Sequence, residues 1–254
     1  MVGGYEPFKS YNLGSDPDKQ TDYGLNEGFA IAPAWGENRY IDDQILDGFG
    51  RTCREYFDSV QELGRTLLSL IAEGLGVESD YFDPFLDHQL AFTRLTHYYR
   101  QPGGSDDDVI GAAAHTDWGT LTLLVQDQIG GLQIYNHTED RWIDVSELME
   151  VNLDTLNRSF QVVPNSSAFV CNIGDLLSRW TNDTYRSTLH RVLAPPHGVD
   201  RYSIPFFNPG NPDHLVEVIP GCVPPGEAPR FEPITAGEYI KMKYHKHKNI
   251  VSTP

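Results

Sequence analysis

A chain of 254 residues with 39% hydrophobic and 22% charged side chains is long enough to bury a core without disulfide staples, and its composition argues against wholesale disorder. A formal charge of −17 sets it against phosphate backbones and anionic membrane surfaces, so neither a nucleic-acid nor a membrane partner is expected. No run approaches the roughly 18 apolar residues of a membrane span, and the start, MVGGYEPFKSYNLG, carries no apolar segment behind a basic one, so no secretory signal is expected.

Residues 1–40 are rich in Gly, Asp, Asn, Tyr and Pro without a sustained period, and predict an irregular N-terminal arm. From Ile41 the apolar residues Ile41, Ile45, Phe49, Cys53, Phe57, Val60, Leu63, Leu67 and Leu70 recur every three or four positions. That spacing predicts one long helix or two abutting ones, a helical support over 41–84, with Asp42 or Asp43 as its cap and Gly74 and Gly76 as its stop. Beyond Leu90 the pattern turns short and alternating. It predicts strands at Leu90–Tyr99, Val109–His115, Leu121–Gln126, Gly131–Tyr135, Trp142–Val145, Ala168–Asn172, Thr188–Leu193, Tyr202–Asn208 and Val216–Ile219. Turn-rich pieces (QPGGSDDD, NHTEDR, PPHG, NPGNPD) separate them, and 237–249 predicts a closing helix. The fold class is mainly β with flanking helices, a sandwich or barrel over 85–254.

Three cysteines, Cys53, Cys171 and Cys222, are too scattered for a disulfide framework or a thiolate zinc site. They read as buried small hydrophobes in a reducing, cytoplasmic compartment. Of the nine histidines, His88, His137, His197 and His214 fall in expected loops. His245 and His247 sit among lysines that would repel a cation, and positions i and i+2 of a helix diverge, so KYHKHK reads as a solvated basic tail.

His115 differs. It ends an apolar strand in AAAHTDWGTLTLL, and Asp117 two residues on would project to the same side in extended backbone. A second histidine would complete the two-His-one-carboxylate triad, which leaves positions open and suits non-haem Fe(II). His190, on the strand-like run RSTLHRV, is the best candidate. His-x-Asp by itself recurs by chance. In RYSIPFF, Arg201 and Ser203 again share one strand face, offering a guanidinium fork and a hydroxyl to a carboxylate. An internal salt bridge is the plainer reading of an Arg that stands alone.

In order, the chain carries His115-Thr-Asp117, Gly119 with the LTLL run, GGLQ at 130–133, NIGDLL at 172–177, His190 and Arg201-x-Ser203. This ordered set resembles the Fe(II)/2-oxoglutarate-dependent oxygenase superfamily, in its isopenicillin N synthase-like branch, over roughly residues 85–245. The wording GDLLSRWTNDTYRSTLHRV is similar to fungal and bacterial members, thymine-hydroxylase-type enzymes among them.

The resemblance implies a double-stranded β-helix, or jelly roll, around the iron. It implies His115, Asp117 and His190 as Fe(II) ligands and catalytic residues, with Arg201 and Ser203 on the distal carboxylate of 2-oxoglutarate. The co-substrate's 2-oxo acid end would chelate the iron and leave one position for O2. The products would be succinate, CO2 and a hydroxylated, desaturated or cyclised small molecule, of the kind met in secondary metabolism. The family often has Asn-x-Tyr in the strand matching LTHYY. His97 and Tyr99 stand in those places, which implies Tyr99 as a co-substrate contact and His97 as a neighbour of substrate or ligand. Trp118 and Phe207 are expected as pocket walls, and a monomer is expected.

Two departures from the family accompany this. The strand-helix-strand region that usually precedes such a core is not found before Tyr5, so the N-terminal region is expected to be truncated. Asp117 and His190 also lie further apart in sequence than usual, which predicts an insertion near 146–167, either a lid-like loop or a translated intron, the latter favoured by its lack of amphipathic pattern. Two other readings stay open: an isopenicillin N synthase-type oxidase that uses no 2-oxoglutarate, and an inactive truncated fragment. No HExxH segment supports a zinc hydrolase.

Overall fold

The structure is a computed structural model that describes residues 3–7, 26–36, 38–99, 110–145, 150–151, 160–161, 168–196 and 198–251. Alternation along RYSIPFF organises the larger sheet. This strand lies between two others, pairing Arg201 with Tyr98 on one side and Ser203 with Gln126 on the other. Its odd-numbered residues face inward and its even-numbered ones outward, where Phe206 meets Phe57 of the covering helix at 5.5 Å. The six-stranded sheet runs, in spatial order, β1 (Gly4–Glu6), β2 (Asn26–Ile31), β3 (Phe92–Tyr98), β12 (Arg201–Phe207), β5 (Leu121–Gln126) and β10 (Val170–Ile173). A four-stranded sheet faces it in the order β4 (Ile110–His115), β11 (His190–Leu193), β6 (Leu132–Asn136) and β7 (Arg141–Asp144). Tyr98 and Leu124 from the first sheet pack on Leu132 and Val192 from the second. All pairings are antiparallel, which gives the expected jelly roll.

Helix α1 (Phe49–Gly74) covers the outer face of the larger sheet. It begins later than the apolar spacing predicted. Gly48 in left-handed backbone is its cap, and Ile41 and Ile45 are exposed. Asp42 instead accepts the Gln44 N–H in a turn. The buried stripe runs through Cys53, Phe57, Val60, Gly64, Leu68 and Ala72, so Leu70 is left exposed. The stop is as expected at Gly76. Its φ of 73° allows the Val77 N–H to reach the Ala72 carbonyl and its own N–H to reach Glu73.

Two strands correct the irregular-arm expectation. β2 pairs with β3 from Asn26↔Tyr98 to Ile31↔Thr93, and β1 pairs with β2. The strand signal of NEGFAI is weakened by Gly28, where a Cβ would collide with the Arg94 guanidinium. Of the rest of the arm, residues 1–2, 8–25 and 37 lie outside the described residues. So does most of the expected 146–167 insertion, of which β8 (Glu150–Val151) and β9 (Phe160–Gln161) are described and pair antiparallel.

A second core gathers around Trp180, which ends the short helix α3 (Asp175–Trp180). Its ring meets Phe82 at 5.1 Å and Phe85, of α2 (Asp83–Leu86), at 4.9 Å. The C-terminal helix α4 (Ala236–Val251) adds Ala236 and Tyr239. The three cysteines are free, but only Cys53 is buried; Cys171 points outward from the edge strand β10 and is exposed, against expectation. No described helix is long and apolar enough to cross a membrane. Because Trp180 is fully enclosed, Trp180→Ala should cost about 3–5 kcal/mol, read as a lower urea midpoint at unchanged slope.

Candidate active site

The smaller sheet sets His190 directly opposite His115, with ring centroids 4.4 Å apart. β11 also pairs Val192 with Ala112, so two steps along β11 match three along β4. This bulge turns Ala114 out to solvent and aims His115 inward, where plain alternation would have reversed them. Asp117 follows in the loop, 6% exposed. One ligand atom from each of the three residues lies within 4.8 Å of the others. His115 Nε2 stands 3.7 Å and His190 Nε2 3.8 Å from Asp117 Oδ1.

The other atom of each group is already engaged. His115 Nδ1 lies 2.7 Å from the Ala113 carbonyl and His190 Nδ1 2.9 Å from that of Thr188. A carbonyl only accepts, so each Nδ1 carries the proton and each Nε2 presents a lone pair. Asn172, inward-facing on β10, donates to Asp117 Oδ2 at 2.7 Å and leaves Oδ1 facing the imidazoles. Two neutral imidazoles and one carboxylate, with their outer atoms tied back, fit a divalent iron and leave positions for other ligands. Burial, with His190 alongside, pushes His115 down to about 4. Burial alone would raise the Asp117 carboxyl, but the positive charge that His190 and His115 carry when protonated, with the hydrogen bonds from Thr122 and Asn172, holds it below the usual range.

The loop that carries Asp117 is fastened by backbone. Asp175 N–H reaches the Asp117 carbonyl at 2.8 Å, Leu176 N–H that of Gly119 at 3.0 Å, and Gly174 N–H that of Thr120 at 2.8 Å. The approach needs glycine. A Cβ on Gly174 would overlap the Gly119 carbonyl, and one on Gly119 the Asn208 carbonyl. Gly174 therefore lets the NIGD turn close on the Asp117 loop, and Gly119 lets that loop close on the chain at Asn208.

Arg201 is 1% exposed and Ser203 beside it 3%. The Arg201 Nε donates to the Gly130 carbonyl at 2.6 Å, Nη2 donates to Gln126 Oε1 at 2.7 Å, and the guanidinium lies 4.7 Å from the Tyr98 ring centroid. Its Nη1 is buried with no hydrogen-bond partner. No carboxylate pairs with Arg201 among the described residues, so the internal salt bridge considered from sequence is not formed there. A buried cation with an unpartnered nitrogen calls for an anion between the sheets.

Tyr99 is corrected. It lies on the opposite face of β3 from Arg201, and its phenol hydrogen-bonds Glu27, which pushes it up to about 12. His97 is there too, 3.0 Å from Glu27 Oε1 and stacked on Tyr202, away from the triad. One step along the strand exchanges faces, so Tyr98 is the tyrosine beside Arg201. Trp118 packs against the Trp180 core, whereas Phe207 shares the inward face of Arg201 and Ser203 and meets Phe92 at 4.9 Å. Asn172 stands in a quoted motif to which the sequence assigns no role; its signal is inward alternation two positions from Val170.

The family model of the 2OG-Fe(II) oxygenase superfamily matches residues 91–155 and 146–208, two segments that overlap inside the expected insertion. The chain is 35% identical over 259 residues to the 2-oxoglutarate-Fe(II) type oxidoreductase hxnY of Emericella nidulans, covering 95% of this chain and 67% of that protein. The chain belongs to the 2OG-Fe(II) oxygenase superfamily. An Aspergillus fumigatus protein described as a 2-oxoglutarate-Fe(II) type oxidoreductase is 32% identical to this oxygenase, over 93% of the chain and 68% of its own length. Among solved structures, a full-length Neurospora crassa protein in complex with alpha-KG superposes with a TM-score of 0.74 at 30% identity, covering 96% of this chain and 73% of that one.

The His115 environment makes the metal-free oxygenase sensitive to acid. An unfolded histidine takes its proton near 6.5, the folded one only at about 4. Between those values the unfolded state holds more protons, so stability is full above about pH 6.5 and falls as pH drops toward 4. The Tm of the metal-free chain should fall across that window, and less steeply for His115→Gln. Equal slopes would contradict the assignment.

Proposed function

We propose that His115, Asp117 and His190 hold Fe(II), and that Arg201 with Ser203 grips the distal carboxylate of 2-oxoglutarate while a small molecule is oxidised beside them. The observation that carries this reading is the buried, unpartnered Nη1 of Arg201, on the inward face of one sheet and opposite the sheet that bears both histidines. When bound, iron, 2-oxoglutarate and O2 supply oxidative decarboxylation to succinate and CO2, coupled to oxidation of the substrate.

The chain's own residues set the geometry. The Ala113 and Thr188 carbonyls fix both imidazole tautomers, and Asn172 fixes the Asp117 carboxylate. Arg201 is pre-aimed by Gly130 and Gln126, so gripping the co-substrate costs little reorganisation. Tyr98 flanks that grip in place of Tyr99. The packed cluster of Leu124, Leu132 and Val192 excludes water from the space between the sheets. A small organic substrate is supported by relatives such as the Neurospora crassa protein solved with alpha-KG and thymine. The charge of −17 supports an enzyme without a nucleic-acid or membrane partner, and the three free cysteines support a cytoplasmic one.

Succinate release measured against oxygen uptake, screened over classes of small molecules, tests the reaction. Matched amounts are expected; oxygen uptake without succinate would overturn the 2-oxoglutarate role. His115→Ala and His190→Ala should each abolish iron binding and turnover. Arg201→Ala removes charge-assisted hydrogen bonds of about 1.5–3 kcal/mol each, so the KM for 2-oxoglutarate should rise tenfold or more. Tyr99→Phe should leave that KM unchanged, and a rise equal to that of Arg201→Ala would return Tyr99 to the site.

A further inference from the structure

Between the two ligands that share one loop sits Thr116, whose hydroxyl donates to Asp175 Oδ2 at 3.2 Å. The same oxygen accepts the Tyr239 hydroxyl at 2.9 Å and lies 2.7 Å from Lys243 Nζ. Tyr239 and Lys243 are four residues apart on α4, so one helix face delivers both. Asp175 is 9% exposed, and its N–H holds the Asp117 carbonyl. Arg179, on the next turn of α3, is directed elsewhere, to the Glu232 carbonyl and the rings of Phe231 and Tyr239. Lys243 is therefore the counter-charge of this buried carboxylate. A cavity of about 260 Å³ adjoins the pair, with Arg179 and Phe231 on its wall.

We propose that Lys243 is a positioning residue for the metal site: through Asp175 it holds the backbone at Thr116, and with it His115 and Asp117, in the arrangement that takes the ion. The inference rests on the iron-site reading above. Without Lys243 the Asp175 carboxylate turns to the water of the adjoining cavity and releases the Thr116 hydroxyl. That frees the loop between two ligands without touching either one. The C-terminal helix, far along the chain from all three ligands, thereby becomes part of the site.

The test is a Co(II) titration of the full chain, followed by the visible absorption of the bound ion, with the Tm of the metal-free protein measured in parallel. Lys243→Met should weaken Co(II) binding about 10–100-fold, the usual cost of losing an outer support, while the metal-free chain, although its Tm falls as the buried carboxylate loses its partner, stays folded at the titration temperature. Lys243→Arg should restore the affinity, and ethylammonium should restore part of it to Lys243→Ala, whose short side chain leaves room for the amine. Unchanged affinity in folded Lys243→Met would overturn the proposal. So would a loss that follows a fall in Tm and is rescued by neither the arginine nor the amine. If Lys243→Met does not fold, Lys243→Gln makes the same comparison. If the unaltered chain binds no Co(II), the iron-site reading fails and this inference with it.

Discussion

The pairing of His190 with His115 across β11 and β4 is the contact on which the rest of the site depends. Side chains alternate along a strand, so a slip of one residue would carry His190 to the outer face. Several bonds hold the register. β11 is also paired to β6, with Val192 opposite Leu132, and the Leu193 N–H reaches the Gly131 carbonyl at 2.8 Å. Val192 is buried in the cluster between the sheets, so a slip would also expose an apolar side chain. The bulge in the alanine run is the second half of the device, because it lets His115 face inward together with Ala112.

Charge is placed with the same economy in this acidic chain. Among the described residues, two carboxylates and one guanidinium are buried around the space between the sheets and its rim, and each is answered differently. Asp117 is met by two imidazoles and by Asn172, an arrangement that awaits a cation. Asp175 is met by Lys243 and closes on itself. Arg201 is met by neutral acceptors and an aromatic ring, which leaves its charge for an incoming anion. A cation site and an anion site between the same two sheets match a metal and a dicarboxylate bound together.

Much of this is legible in the sequence because polar residues interrupt apolar strands at few points. His115, Asp117, His190, Arg201 and Ser203 stand out for that reason, and the structure gathers the first three and aligns the last two. Features set by pairing are not legible. Tyr98 and Tyr99 are equal candidates in HYY until the register with Arg201 selects one. The start of α1 is obscured because Ile41 and Ile45 continue its spacing, although Gly48 begins the helix. β2 is hidden by a glycine that Arg94 requires. Lys243 acts only through Asp175, so nothing local marks it, and Asn172 carries no signal beyond its inward place in the alternation of β10.

With the triad on one sheet and Arg201 on the facing one, Fe(II) and 2-oxoglutarate are expected to bind together in one site. Anaerobic addition of Fe(II) and then 2-oxoglutarate to the folded, metal-free chain tests this most directly, by visible absorption. A charge-transfer band that needs both additions and does not form in His190→Ala is expected. A folded chain that takes up both components without that band would contradict it.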